Sequence, residues 1–157
     1  MNGMKWADIL CTLKGMLHSY GYPSAILLHC GGNDIGHVPL GKLMYEIRST
    51  FAYIFIKLLP GVPIIWSAIL PRLKWRSPNY TKMERTRAKV NRYVRSYLLK
   101  HNCYIVKHPD FSDKHNGLFH DDGVHLSFIG RDLFINSIQG ALETFFKYPG
   151  CHVYPTA

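Results

Sequence analysis

Gly31-Gly32-Asn33-Asp34 and Asp121-Asp122-Gly123-Val124-His125 are the two places in this 157-residue chain where residue type and spacing could do chemistry. A Gly-Gly pair lets backbone approach a ligand closely, and Asn33 beside it can aim an amide donor at developing negative charge. The same four residues would also make a simple turn. Asp122 lies three residues before His125, a spacing that lets a carboxylate hold one imidazole nitrogen while the other faces a substrate. A capping or turn pair would use the same two residue types.

The surrounding pattern predicts how these clusters are carried. Trp6, Ile9, Leu10, Leu13, Leu17 and Tyr20 recur at helical spacing and stop near Gly21 and Pro23. Residues 25–30 form a short apolar run that breaks into the Gly-Gly cluster, as a buried parallel strand would. Leu40, Leu43, Met44, Ile47, Phe51 and Leu58 give a second helical stripe closed by Pro60-Gly61, and residues 62–70 a second strand. A third helix is expected over 80–100, with Met83, Val90, Val94 and Tyr97 inward, then a third strand over 103–106 and a polar loop over 108–125. Ser127 reads as the N-cap of a last helix marked by Phe134, Ile138, Leu142 and Phe145.

The order α-β-α-β-α-β-α implies a single domain over 1–157, a parallel sheet covered by helices on both faces. Active sites of such sheets lie at the carboxyl ends of strands, where both polar clusters fall. Three strands are fewer than usual, and this fold ordinarily opens on a strand, so the sheet is expected to be incomplete at its amino-terminal side. Residues 25–30 would then present an open edge.

A hydrophobic content of 47% supports a core. The apolar stretch 51–59, interrupted by Lys57, is far short of the roughly 20 residues of a membrane span. The amino terminus lacks the apolar region and cleavage site of a secretory signal, and Cys11, Cys30, Cys103 and Cys151 form no CxxC pair. An intracellular, cytoplasmic compartment with free thiols is the expectation.

The formal charge of +9 is local: between Arg72 and Lys107 eleven basic residues face one acidic residue, Glu84. Lys74-Trp75-Arg76 adds an aromatic for stacking, and Arg85, Arg87, Lys89, Arg92 and Arg95 crowd one helix. This reads either as a surface for nucleic acid or anionic membrane, or as a solvated helix face. His101, His108, His115, His120 and His125 cluster among aspartates, but their spacing matches no zinc signature, so no metal is expected.

In this order and on this fold, the two clusters resemble the sequence blocks of the SGNH hydrolase family, the GDSL-type esterases and lipases, over nearly the whole chain. Gly31-Gly32-Asn33-Asp34 matches the Gly-x-Asn-Asp block, Asp122-Gly123-Val124-His125 the Asp-x-x-His block, and Gly3 looks like the isolated-glycine block. The resemblance implies a three-layer α/β/α, flavodoxin-like fold and a cofactor-free serine hydrolase of small esters. It also implies that His125 is the general base, Asp122 its orienting carboxylate, and Gly3 and Asn33 the oxyanion donors. The family's nucleophile stands ahead of the glycine block, where only Met1 and Asn2 precede Gly3, and none of the serines lies in a Gly-Asp-Ser context. Residues 1–157 alone are therefore expected to hydrolyse little or nothing. The alternative is a binding module that uses the basic segment 72–107. Domains resembling this one occur in proteins of vertebrate transposable elements.

Overall fold

A computed structural model of the chain describes residues 3–113 and 116–156. A 3-10 turn, Trp6–Asp8, leads into helix α1 (Ile9–Tyr20). Gly21 ends it with φ 79°, where a side chain would be strained, and its N–H closes on the Leu17 carbonyl at 2.9 Å. Strand β1 (Ile26–Leu28) follows, then helix α2 (Leu40–Tyr53), which widens into the π-helical segment Ile54–Leu58. Next come β2 (Ile64–Ser67), α3 (Tyr80–Leu99), β3 (Tyr104–Val106), the 3-10 turns Pro109–Phe111 and Asn116–Leu118, α4 (Phe128–Lys147) and β4 (Val153–Tyr154).

The strands lie in the order β1-β2-β3-β4, every neighbouring pair parallel. Alternation along each strand sends side chains to opposite faces. Ile26, Leu28, Ile64, Trp66 and Ile105 pack with Ile9 and Leu13 of α1, Leu43, Ile47 and Phe51 of α2, and Val90, Val94 and Leu98 of α3. Ile65 and Val106 point the other way, onto Ala141 and Phe145 of α4. The expected α/β/α layering with helices on both faces is present.

Three expectations change. A fourth strand, β4, borders β3, with Ile105 N–H bonded to His152 O and Lys107 N–H to Tyr154 O at 2.9 and 2.7 Å. Two residues give no apolar run to detect in sequence. The second strand shrinks from 62–70 to Ile64–Ser67, since Pro63 has no N–H to donate and the chain leaves the sheet beyond Ala68. Tyr20, counted on the inner stripe of the first helix, is 84% exposed.

Strand β1 is an edge: among the described residues no strand pairs with its outer side. Leu27 is 42% exposed there, and an apolar groove of about 510 Å³ runs beside it, walled by Leu13, Leu17, Ile26 and Leu28. Two of the helix starts are closed by side chains. Asn79 Oδ1 accepts from Lys82 N–H at the head of α3, and Ser127 Oγ accepts from Gly130 N–H at the head of α4. Among the described residues, no helix is long and apolar enough to cross a membrane.

The segment ahead of α1 is fixed by Trp6. Its backbone N–H donates to Asp34 Oδ2 at 2.9 Å, its indole N–H donates to Thr50 Oγ1 at 3.0 Å, and its ring lies against Phe51 and Trp66. Asp34→Ala would leave that buried N–H without an acceptor, an expected loss of about 1–3 kcal/mol. Urea unfolding should show a lower midpoint for Asp34→Ala and a smaller shift for Asp34→Asn, which keeps the acceptor.

Candidate active site

The carboxyl ends of β1, β2 and β3 each release a loop, and glycines let those loops meet. After β1, Gly31 takes φ 100°, and a Cβ on Gly32 would stand 2.9 Å from an Arg72 guanidinium nitrogen. After β2, the 71–79 loop is fastened by Trp75 Nε1–H to Glu84 Oε1 at 2.9 Å and by Tyr80 O–H to the Arg72 carbonyl at 3.1 Å. After β3, Gly123 takes φ 68°, and its carbonyl accepts from Leu73 and Lys74 N–H at 2.8 and 3.2 Å. A Cβ at Gly123 would meet Lys74 at 2.9 Å, so the close approach of the two loops depends on its absence.

Within the last loop, His125 Nδ1–H donates to Asp122 Oδ2 at 2.6 Å. Asp122 Oδ1 accepts the N–H groups of Val124 and His125 at 2.8 and 2.9 Å, which fixes the carboxylate against its own backbone. These bonds, the imidazole's first, hold the Asp122 carboxyl well below the usual carboxylate range. With Nδ1 taken, Nε2 is the nitrogen left to exchange a proton. Its ring lines a cavity of about 320 Å³ together with Gly3, Gly31, Gly32, Asn33 and Arg72.

Asn33 is fixed by donors and acceptors of opposite kind. Arg72, which only donates, reaches its Oδ1 at 2.9 Å, and its Nδ2 donates to the Met4 carbonyl at 3.0 Å. One amide hydrogen is thus engaged and one remains. Asp34 is buried beneath it, and burial pushes its carboxyl up. The structure therefore brings Gly3, Gly31, Gly32, Asn33 and His125 to one cavity, with Asp122 behind His125 and Asp34 anchoring the base of the loop.

The basic residues divide. Lys74 and Arg76 border a second cavity of about 500 Å³ that shares Gly3, Asn33, Arg72 and His125 with the first. Lys74 Nζ donates to the Asp121 carbonyl at 3.1 Å, and Arg76 donates to His37 Nε2 at 2.7 Å. Arg87 is turned inward onto Glu84 at 2.9 Å and the Ile69 carbonyl at 3.0 Å. Arg85, Lys89, Arg92 and Arg95 are exposed on α3, and helical geometry puts Lys82, Arg85, Lys89 and Arg92 along one outward stripe. The histidines disperse as well: His101 stacks on Phe55 and Tyr97, His108 is buried, and His115 lies outside the described residues.

Two features were not singled out from sequence. Arg72 stood only within the basic count, although its position just after a strand end marks it. His29, Ser67 and His108, at or just beyond the ends of three neighbouring strands, form a hydrogen-bonded row that runs inward from the exposed His29: Ser67 Oγ lies 2.9 Å from His29 Nδ1 and 2.8 Å from His108 Nε2. Ser67 is fully buried, so the row is scaffold beneath the cavity wall, to which His29 contributes. Burial lowers the His108 imidazole to about 4, and the neighbouring His29 ring adds to the effect.

With this geometry in place, the fold can be compared with solved structures. A GDSL-like lipase from Bacteroides thetaiotaomicron superposes with TM-score 0.70 at 17% identity, covering 90% of this chain and 72% of that one. The esterase domain of a zebrafish retrotransposon ORF1 protein gives TM-score 0.56 at 23% identity, covering 92% and 85%. A psychrotrophic esterase from Pseudoalteromonas, inhibited by monoethylphosphonate, gives 0.63 at 16%, covering 92% and 74%. No family model and no curated protein matches the sequence. The chain has the fold of the GDSL-type hydrolases.

The buried His108 predicts how stability depends on pH. The folded state disfavours protonated His108, whereas the unfolded chain takes up that proton near the ordinary histidine value of about 6.5. Stability is therefore present above about pH 6.5 and lost as pH falls toward about 4, by about 2 kcal/mol between pH 7 and 5. Urea midpoints at those two pH values should differ accordingly, and the difference should shrink in His108→Gln.

Proposed function

We propose that this chain forms the acid-base and oxyanion-binding part of a GDSL-type ester hydrolase. The observation that carries the reading is the 2.6 Å bond from His125 to Asp122, with the imidazole lining the same cavity as Asn33 and Gly3. In this scheme His125 Nε2 takes the proton of a serine hydroxyl as its oxygen attacks the ester carbonyl. Asn33 and the Gly3 amide receive the oxyanion, and His125 then returns the proton to the departing alcohol. Water repeats the sequence on the acyl-serine.

The family resemblance puts that serine on a strand ahead of the glycine block. The outer side of β1, which no strand among the described residues pairs with and which opens on an apolar groove that Met4 also lines, supports this by offering such a strand a ladder and a hydrophobic seat. Free Cys11, Cys30, Cys103 and Cys151 fit the intracellular placement. A retrotransposon esterase domain among the similar folds favours a mobile-element setting. A second reading, a binding module for nucleic acid or anionic lipid, is favoured by the outward stripe of Lys82, Arg85, Lys89 and Arg92 on α3. Such binding would weaken steeply with salt.

Hydrolysis of a short-chain chromogenic ester tests the first reading. Residues 1–157 alone should show no turnover above that of His125→Ala. In a polypeptide that also supplies the serine strand, His125→Ala should lower kcat by about 10²–10⁴. Asn33→Ala should lower it by about 10²–10³. Turnover indifferent to both substitutions would place the site elsewhere.

A further inference from the structure

Arg72 is the charged group at this site that the hydrolytic scheme leaves without a task. Among the described residues its guanidinium has one hydrogen-bond acceptor, the neutral Asn33 Oδ1, out of the five N–H donors it carries. One face lies over the Trp75 ring, 4.9 Å from its centroid. No carboxylate among the described residues comes within ion-pair distance. Asp122, the acid whose field reaches it, is already bonded to His125, and Glu84 Oε1 accepts from the Arg72 backbone N–H instead. Burial first, and the neighbouring Arg76 charge second, lower its pKa against the opposing field of Asp122.

The position is built rather than incidental. Gly32 lacks the Cβ that would collide with the guanidinium, and the loop carrying Arg72 is held at Glu84, Tyr80 and Gly123. Arg72 lines both the 320 Å³ cavity containing His125 and the adjoining 500 Å³ cavity bordered by Lys74 and Arg76. A half-buried guanidinium with open donors matches the planar oxygens of carboxylate or phosphate, and such charge-assisted bonds are the strong ones.

We propose that Arg72 makes this site selective for esters that carry an anionic group, carboxylate or phosphate, within reach of its open guanidinium donors. The inference rests on the hydrolase reading for the placement of the ester, while the anion contact belongs to Arg72 alone. Lys74 and Arg76 add attraction at the rim, and Asn33 couples the two sites, because the side chain that receives the oxyanion also steers the guanidinium.

Binding tests this without requiring turnover. Dissociation constants are measured calorimetrically at fixed ionic strength for two pairs: monomethyl against dimethyl succinate, and butyryl-glycerol phosphate against butyryl-glycerol. The charged member of at least one pair should bind about tenfold tighter, and the better pair identifies carboxylate or phosphate as the group recognised. Arg72→Gln should remove the preference, Arg72→Lys should retain part of it, and Lys147→Gln in the last turn of α4 should change nothing. Equal affinity within both pairs for the wild-type chain, which needs no variant to fold, would overturn the proposal. So would a preference that survives Arg72→Gln in a folded protein. Ester hydrolysis without charge preference would remove the role of Arg72 and leave the hydrolase reading standing. Charge preference with no hydrolysis by the serine-bearing polypeptide would do the reverse.

Discussion

The loop after β1 is the joint on which the rest of this site hangs. Asp34 takes the Trp6 N–H, Asn33 gives a hydrogen bond to the Met4 carbonyl, and Asn33 Oδ1 takes the Arg72 guanidinium. Three adjacent elements, the lead-in to α1, the end of β1 and the loop after β2, are thereby locked through two consecutive side chains. A buried N–H or carboxylate left without a partner costs more than the bond itself returns, so these contacts enforce one arrangement. The indole of Trp6, pinned by Thr50 and two aromatic rings, turns that arrangement into part of the core.

Around this joint the chemistry follows from strand geometry. Parallel strands deliver their carboxyl ends to one side, and the loops there can converge only where backbone approaches backbone. Gly31, Gly32 and Gly123 permit the approach, and the Gly123 carbonyl ties the His125 loop to the Arg72 loop. The outcome is a histidine held by a carboxylate and an amide held by two partners, both lining one cavity. Preorganised donors of this kind stabilise developing charge because they need no rearrangement when it appears.

Much of this was legible in the residues. Helices α1 to α4 showed themselves by spacing, Asp122 and His125 by a pair three residues apart, and Asn33 by the Gly-Gly cluster that carries it, although its partners Met4 and Arg72 lie 29 and 39 residues away. Strand β4 was hidden because two half-exposed residues carry no periodicity. Arg72 and the His29-Ser67-His108 row were hidden for another reason: their contacts bridge 39, 38 and 41 residues, so that only the sheet, by placing strand ends side by side, reveals them. Arg87 illustrates the converse, a residue that composition assigns to a basic surface and that folding turns inward onto Glu84.

The central claim is that His125, oriented by Asp122, serves an activated serine. Fluorophosphonate labelling of the native protein from its source, read by intact mass and peptide mapping, tests this most directly, because the probe reports an activated serine whatever the substrate. The account predicts one labelled serine, carried on a strand ahead of Gly3 in a species heavier than 18.1 kDa, with labelling abolished in His125→Ala. An unlabelled protein, or a label that persists without His125, would contradict it.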